Sequence, residues 1–274
     1  MIFKTLQKIS TICIFLFSVV IFSQDFQGVA TYKSHRKVDL KIGGDDMDSV
    51  MKKQIQEQLK KQFQREYTLK FTKSESVYTQ NEELAAPAPA SGGFQITVNQ
   101  GSDVMYKNIK ENRYVNQTEI HGKRFLIQDS LKKRAWKVTS DTKNIGDYTC
   151  YKAEFTEEVE NRTFKDGTLE TVKENQTTTV WFTPQIPVSN GPEDYFGLPG
   201  LILEINDGKL TLVCTKIVIN PEKTVEIVEP DKGKQVSQEK FDEIMDKKTK
   251  EMMEQFKGRK GKSKGDKQVI MIGG

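Results

Sequence analysis

Between Phe94 and Ile219 one short strand signal follows another, and their spacing constrains the fold more than any other feature of the sequence. Val104 to Tyr106, Tyr114 to Val115, Phe125 to Ile127, Trp136 to Val138, Tyr148 to Thr156, Thr177 to Phe182, Leu201 to Ile205 and Lys209 to Ile219 are apolar or β-branched stretches set a few residues apart. Asn144-Ile145-Gly146-Asp147, Lys165-Asp166-Gly167 and Asn206-Asp207-Gly208 supply the Asn, Asp and Gly that tolerate tight reversals. Gaps this short leave no room for crossover helices, so the pairing is expected to be mostly antiparallel. Residues 27 to 42, with Val29, Tyr32, Val38, Leu40 and Ile42, add an opening strand or hairpin. Tyr67-Leu69-Phe71 and Ser76-Val77-Tyr78 add two more strands.

Two segments carry helical periodicity instead. Met47, Val50, Met51, Ile55, Leu59 and Phe63 recur at steps of three and four between Asp45 and Gln64, with Asp45, Asp46 and Asp48 near the positive end of the helix dipole. Phe241, Ile244, Met245, Met252, Met253 and Phe256 form a second stripe between Ser237 and Lys257. The expected fold is therefore α+β: a mainly antiparallel twisted sheet, or half-open barrel, packed against two amphipathic helices.

The N-terminus sets the compartment. Lys4 and Lys8 precede an apolar run, Ile9 to Phe22, and the small residue Ser23 follows. A membrane anchor needs about 20 apolar residues; this run is shorter and is broken by Ser18, so a removed secretory signal is expected over residues 1–23. Without Lys4 and Lys8 the formal charge falls from +4 to +2, which gives no global footprint for nucleic acid. The remainder reads as one β-rich domain over 24–256. A flexible Ala/Pro/Gly insertion at 84–93 interrupts it, and a basic Gly/Lys tail at 257–274 closes it with the short apolar end Val269 to Ile272. Export makes the location periplasmic or extracellular, with no mature transmembrane helix. Clustered lysines from Lys257 to Lys267 could touch an anionic membrane surface at about 1 kcal/mol each, or serve as a soluble spacer.

The mature chain keeps Cys150 and Cys214, 64 positions apart. In an oxidising compartment they can form a disulfide that restricts the unfolded chain by roughly 4 kcal/mol; two separate reduced strand thiols are the other reading. Alternation places Cys150 with Lys152 and Glu154, and Cys214 with Leu210 and Leu212.

The richest stretch runs from Val180 to Ile205. Pro184, Pro187 and Pro192 hold a loop in extended shapes, Trp181, Tyr195 and Phe196 make it aromatic, and Leu198-Pro199-Gly200-Leu201 suits a type II turn with Gly200 at positive φ. One reading is architectural, a stiff aromatic loop plugging one end of a sheet; the other is an interaction loop. The sextet Gly197-Leu198-Pro199-Gly200-Leu201-Ile202 resembles the motif of the GLPGLI family, exported proteins of Bacteroidota. Asp141 to Lys143, Ile145-Gly146, Tyr148, Cys150, Lys152, Ala153 and the Trp181 to Pro184 segment resemble that family too, over about 135 to 220. The resemblance implies export and an antiparallel scaffold, with no assigned biochemical role and no catalytic residues. Under such a source Asp48-Ser49-Val50 and Asp129-Ser130-Leu131 resemble short O-glycosylation sites, and Asn116, Asn161 and Asn175 stand in N-glycosylation patterns.

Reactive equipment is sparse. His35 and His121 have no ligand neighbours at metal spacing, no Gly-x-Ser-x-Gly elbow occurs, and Glu157-Glu158 point to opposite sides of a strand. No catalytic residue, metal or cofactor is nominated. Two roles lead, a non-enzymatic envelope protein that binds or carries an apolar ligand or lipid, and a protein-interaction module of an outer-membrane-associated complex; an enzyme is the third reading. Oligomeric state is left open.

Overall fold

In the computed structural model the described residues are 26–36, 64–81, 103–120, 122–165 and 168–260. Most of them are strand, in one twelve-stranded sheet. The strands are β1 (Gly28–Arg36), β2 (Glu66–Phe71), β3 (Glu75–Gln80), β4 (Val104–Asn108), β5 (Arg113–Ile120), β6 (Lys123–Ser130), β7 (Lys137–Ile145), β8 (Tyr148–Lys165), β9 (Thr168–Thr183), β10 (Leu201–Asn206), β11 (Leu210–Ile219) and β12 (Lys234–Val236). The order across the sheet is β12-β6-β5-β4-β3-β2-β1-β11-β10-β9-β8-β7. Every neighbouring pair is antiparallel except β12, which runs parallel to β6. The sheet therefore has two edges, β12 and β7, and is not closed by pairing them.

Burial follows the alternation of the sequence. Ala30, Leu69, Tyr78 and Met105 are successive cross-strand neighbours, as are Gly28, Phe71, Ser76 and Lys107. The turns also form as read: Gly146 and Gly208 take positive φ, and the Asp207 carboxylate accepts the Lys209 and Leu210 amides.

The α+β expectation is overturned: the fold is mostly β, with 58% strand and, among the described residues, a single helix. That helix, α1 (Gln238–Lys260), starts where Ser237 caps it through the Lys240 amide and runs past Gly258. It meets the sheet only near its N-terminus, where Phe241 packs edge-on against Phe125, with ring centroids 5.6 Å apart, and Gln238 bonds Tyr114 and Asp129. The helical stripe expected at 45–64 lies outside the described residues, apart from its last residue, Gln64, and so do the proposed signal, the 84–93 insertion and residues 261–274. Among the described residues the layer over the core is not helical. That layer comes from the loop between β9 and β10, whose Ile186 and Val188 are buried among Tyr32, Leu69, Phe71, Tyr78, Leu201 and Leu203. A proline-held chain with an apolar residue at every second position can cover a sheet as a helix stripe does, without helical periodicity to announce it.

The β8–β9 hairpin outgrows its neighbours. β7 pairs with β8 no farther than Glu154, and β10 pairs with β9 only from Thr179 to Thr183. From Glu158↔Asn175 to Lys165↔Thr168 the two strands pair with each other alone, an arm of roughly 25 Å at about 3.3 Å per residue.

Candidate functional site

The loop from Pro184 to Gly200 carries the aromatic and proline residues singled out above, and its own hydrogen bonds explain its shape. Val188 N donates to Ile186 O and Gly200 N to Leu198 O, each at two-residue spacing around a proline, Pro187 and Pro199. Proline's fixed φ suits the centre of such tight turns. The expected type II turn at Leu198 to Leu201 is thereby corrected. Gly200 is not among the glycines at positive φ; Gly197 is, at 97°. Gly200 is required for another reason: a Cβ there would stand 2.2 Å from the Thr183 carbonyl oxygen.

Residues from both halves of the sheet staple the loop. Ser76 Oγ donates to Asn190 Oδ1 at 3.3 Å, and the Tyr32 hydroxyl donates to Ile202 O at 2.7 Å. Lys107, fully buried on β4, donates its Nζ to Gly191 O at 2.6 Å and Tyr195 O at 3.2 Å. From the segment before β7, Arg134 donates to Asp194 O at 2.9 Å and Asp194 Oδ2 at 2.6 Å. Its guanidinium lies 4.3 Å from the Tyr195 ring centroid and 5.2 Å from that of Phe155. Trp136 Nε1 donates to Phe196 O at 2.9 Å, and the Trp136 ring packs edge-on to Phe155.

Two ionisable groups of this assembly are strongly displaced. Burial lowers Lys107 to about 7, against the opposing pull of Asp194. Burial raises Glu193 to about 7, helped by Asp194 and Asp207 and opposed more weakly by Lys107 and Arg36. Glu193 also sits at a φ of 51°, a region that L residues other than Asn and Asp seldom occupy. Tyr67 and Tyr78, stacked with centroids 5.1 Å apart, and Tyr195 all feel its charge, and burial raises all three phenols.

The sequence-nominated residues divide accordingly. Leu198 and Ile202 are buried in one apolar cluster and Leu201 in another; Gly197 and Pro199 are exposed; Gly200 is buried. Pro184 and Pro187 are exposed, Pro192 and Phe196 buried, and Tyr195 half-buried. Trp181 is half-buried under the Lys143 ammonium, 4.4 Å from its ring, while Lys143 also bonds both oxygens of Glu204. Cys150 and Cys214 stand as free thiols in the cluster around Ile186, pushed by burial to about 11 and about 12. Lys107, Arg134 and Glu193 escaped the sequence reading, and Trp136, Tyr67 and Tyr78 were read only as strand residues. Only Glu193 lay inside the stretch it emphasised.

Among the described residues no group of three His, Cys, Asp or Glu side chains is placed to hold a metal. His35 is on the outside, with Nδ1 3.4 Å from Gln64 Nε2. The raised thiols are poor nucleophiles. What the arrangement does chemically is hold a loop in place, through the buried Lys107 ammonium and the Arg134 guanidinium.

A family model described as a protein of unknown function (Porph_ging) matches residues 136–204, from Trp136 through the stapled loop into β10. No curated protein matches the chain. Two solved structures of PNGF-II are similar to it, one in space group C2 at 13% identity and one in P21 at 14%, each with a TM-score of 0.46. They cover 80% and 79% of this chain, which spans 32% of the length of each.

Proposed function

We propose that this chain is an exported, non-enzymatic binding module of the cell envelope that engages a partner protein through the projecting β8–β9 arm. The observation that carries this reading is the arm itself. An isolated two-stranded hairpin is marginally stable in water, and beyond Glu158 this one has no third strand among the described residues. Val172 is 52% exposed on it. A long ribbon paired only with itself, with residues 171–175 exposed, is what a docking element looks like. A carrier of apolar ligands would instead need an apolar groove. Here Ile186 and Val188 occupy the space over Tyr32, Leu69 and Phe71, and Leu198 packs with Ala153, Val180 and Phe182.

The test replaces Glu158 through Asn175 by a tight Asn-Gly turn in the full chain. Thermal unfolding is expected to stay close to that of the parent, while crosslinking in the producing cells loses a discrete partner band. Retention of that band in the shortened chain, or its absence from the parent, overturns the reading. Export is checked separately by the N-terminal mass of the protein recovered outside the cytoplasm, expected to begin after Ser23.

A further inference from the structure

We propose that the β8–β9 arm joins two copies of this chain: the outer edge of β8 from Glu157 to Lys165 pairs antiparallel with the same edge of a second copy, Asn161 facing Asn161 on the two-fold axis. The inference rests on the docking role given to the arm above and names its occupant. β7 pairs with β8 no farther than Glu154, and from Glu158 outward β8 pairs only with β9 among the described residues. The other side of β8 there presents alternating main-chain N–H and C=O groups, a template for one more strand. Two arms joined along that side make a four-stranded sheet, where a ribbon of two strands alone is marginal.

Symmetry and charge choose both the occupant and the register. Facing residues of an antiparallel ladder alternate between hydrogen-bonded and non-hydrogen-bonded pairs. A two-fold axis normal to the sheet must therefore pass where a residue faces its own copy. Centred on Asn161, the pairing sets Glu160 opposite Arg162 and Glu157 opposite Lys165, and symmetry makes each pair twice. Lys132 and Lys173 of the same chain already flank these two glutamates, and a carboxylate accepts a partner on either side. Moving the centre by one residue makes Glu160 or Arg162 face itself, and a centre on Val159 sets Glu158 opposite Glu160. The outer edge of β9 offers no such match. Centred on Val172 it sets Glu170 opposite Glu174, and centred on Lys173 it sets that lysine against its copy. Its inner end is also occupied, by Gln176 donating to Asp207 O at 2.8 Å. Charges along an edge blunt its pairing with strands at large; matched to their own copies, they make the pairing selective.

Sedimentation velocity of the purified full chain across a wide concentration range, together with two cysteine variants, is the test. A concentration-dependent dimer is expected. Arg162→Glu sets a glutamate opposite Glu160 and should raise the dissociation constant about tenfold or more at unchanged melting temperature. Under mild oxidation Asn161→Cys should form an interchain disulfide, because facing Cα atoms stand about 4.5–5.5 Å apart, a span a disulfide bridges. Val159→Cys, which faces Thr163, should not. A chain that stays monomeric, an unchanged dissociation constant in Arg162→Glu, or equal crosslinking of the two cysteine variants overturns the proposal. A monomer that still gives an arm-dependent band with a different protein in the producing cells overturns this proposal alone; loss of arm dependence there removes the docking role of the arm with it.

Discussion

The backbone of Gly200 lies against the carbonyl of Thr183 so closely that an added methyl would stand 2.2 Å from the oxygen and 2.5 Å from the carbon. At Gly197, three residues earlier, an added Cβ would make ordinary contact with the Trp136 ring, 3.4 Å from Nε1, but the backbone has a φ of 97°. The two glycines of one short motif thus answer different demands, one of approach and one of dihedral. Gly200→Ala is expected to cost at least about 3 kcal/mol, because backbone cannot yield as a side chain does. Gly197→Ala should cost about 1 kcal/mol, and Pro199→Ala, at an exposed position, less than that. Urea unfolding of the three variants gives the ranking; equal losses at the two glycines would contradict it.

Asp194 touches both displaced ionisations, and in both cases it favours the protonated form. Asp194→Asn should therefore lower Lys107 and Glu193 together, each below about 7. NMR titration of the lysine Cε and glutamate Cδ signals reads both at once, and movement in opposite directions would rule the arrangement out.

Stability should pass through a minimum near neutral pH. Glu193 is raised from 4.5 to about 7, so its contribution is complete below pH 4.5 and is lost as pH rises through 7. Lys107 is lowered from 10.5 to about 7, so its contribution is complete only above pH 10.5 and is lost as pH falls through 7. Unfolding free energy followed from pH 5 to pH 9 should dip in the middle. Glu193→Gln should flatten the acid limb and Lys107→Met the alkaline one. A Lys107→Met protein also leaves the Gly191 and Tyr195 carbonyls without their donor, at a cost of about 1–3 kcal/mol throughout.

Arg134 should not be replaceable by lysine. Its guanidinium reaches the Asp194 backbone and carboxylate at once while lying between the Tyr195 and Phe155 rings, with a side chain only 6% exposed. An ammonium can keep the charge but not the planar fork or the stacking. Arg134→Lys is expected to lose on the order of 1–3 kcal/mol and to sharpen the Tyr195 ring signal as that ring becomes mobile. Retention of parental stability would show the contact to be ornamental.

In reduced native protein Cys150 and Cys214 should alkylate far more slowly than in unfolded protein at pH 8, since burial raises both thiols. Fast native labelling of either would contradict the burial. For protein recovered after export, intact mass with and without reductant tests the proposed pairing of these two cysteines.

Strand existence was legible from the sequence because apolar alternation and turn chemistry are local signals: β2, β3, β6 and β10 lie where Tyr67 to Phe71, Ser76 to Tyr78, Phe125 to Ile127 and Leu201 to Ile205 put them. Strand length was not. The outer halves of β8 and β9 are rich in Glu, Lys, Asn and Thr, a composition that lacks the apolar alternation by which a strand is read. The cover that Ile186 and Val188 give the sheet was missed for the same reason in reverse, since they sit between prolines that break every period. Lys107 was invisible because a lysine in a strand reads as outward-facing; only the register that sets it between Ser76 and Tyr114, beneath a loop more than eighty residues downstream, turns it inward. Glu193 was missed because a backbone dihedral leaves no trace in composition.

The staples of the loop also set an order of events. Ser76 and Lys107 come from the first half of the chain, Arg134 and Trp136 from the middle, and Tyr32 from near its start, yet all fasten to residues between Asn190 and Ile202. None of these contacts can form until the chain has been made through β10, and each closes a long span before it gains anything. Such non-local closure places folding in the slow regime of β topologies, so fastening of this loop is expected to follow the local hairpins, together with the equally long-range pairing of β11 on β1.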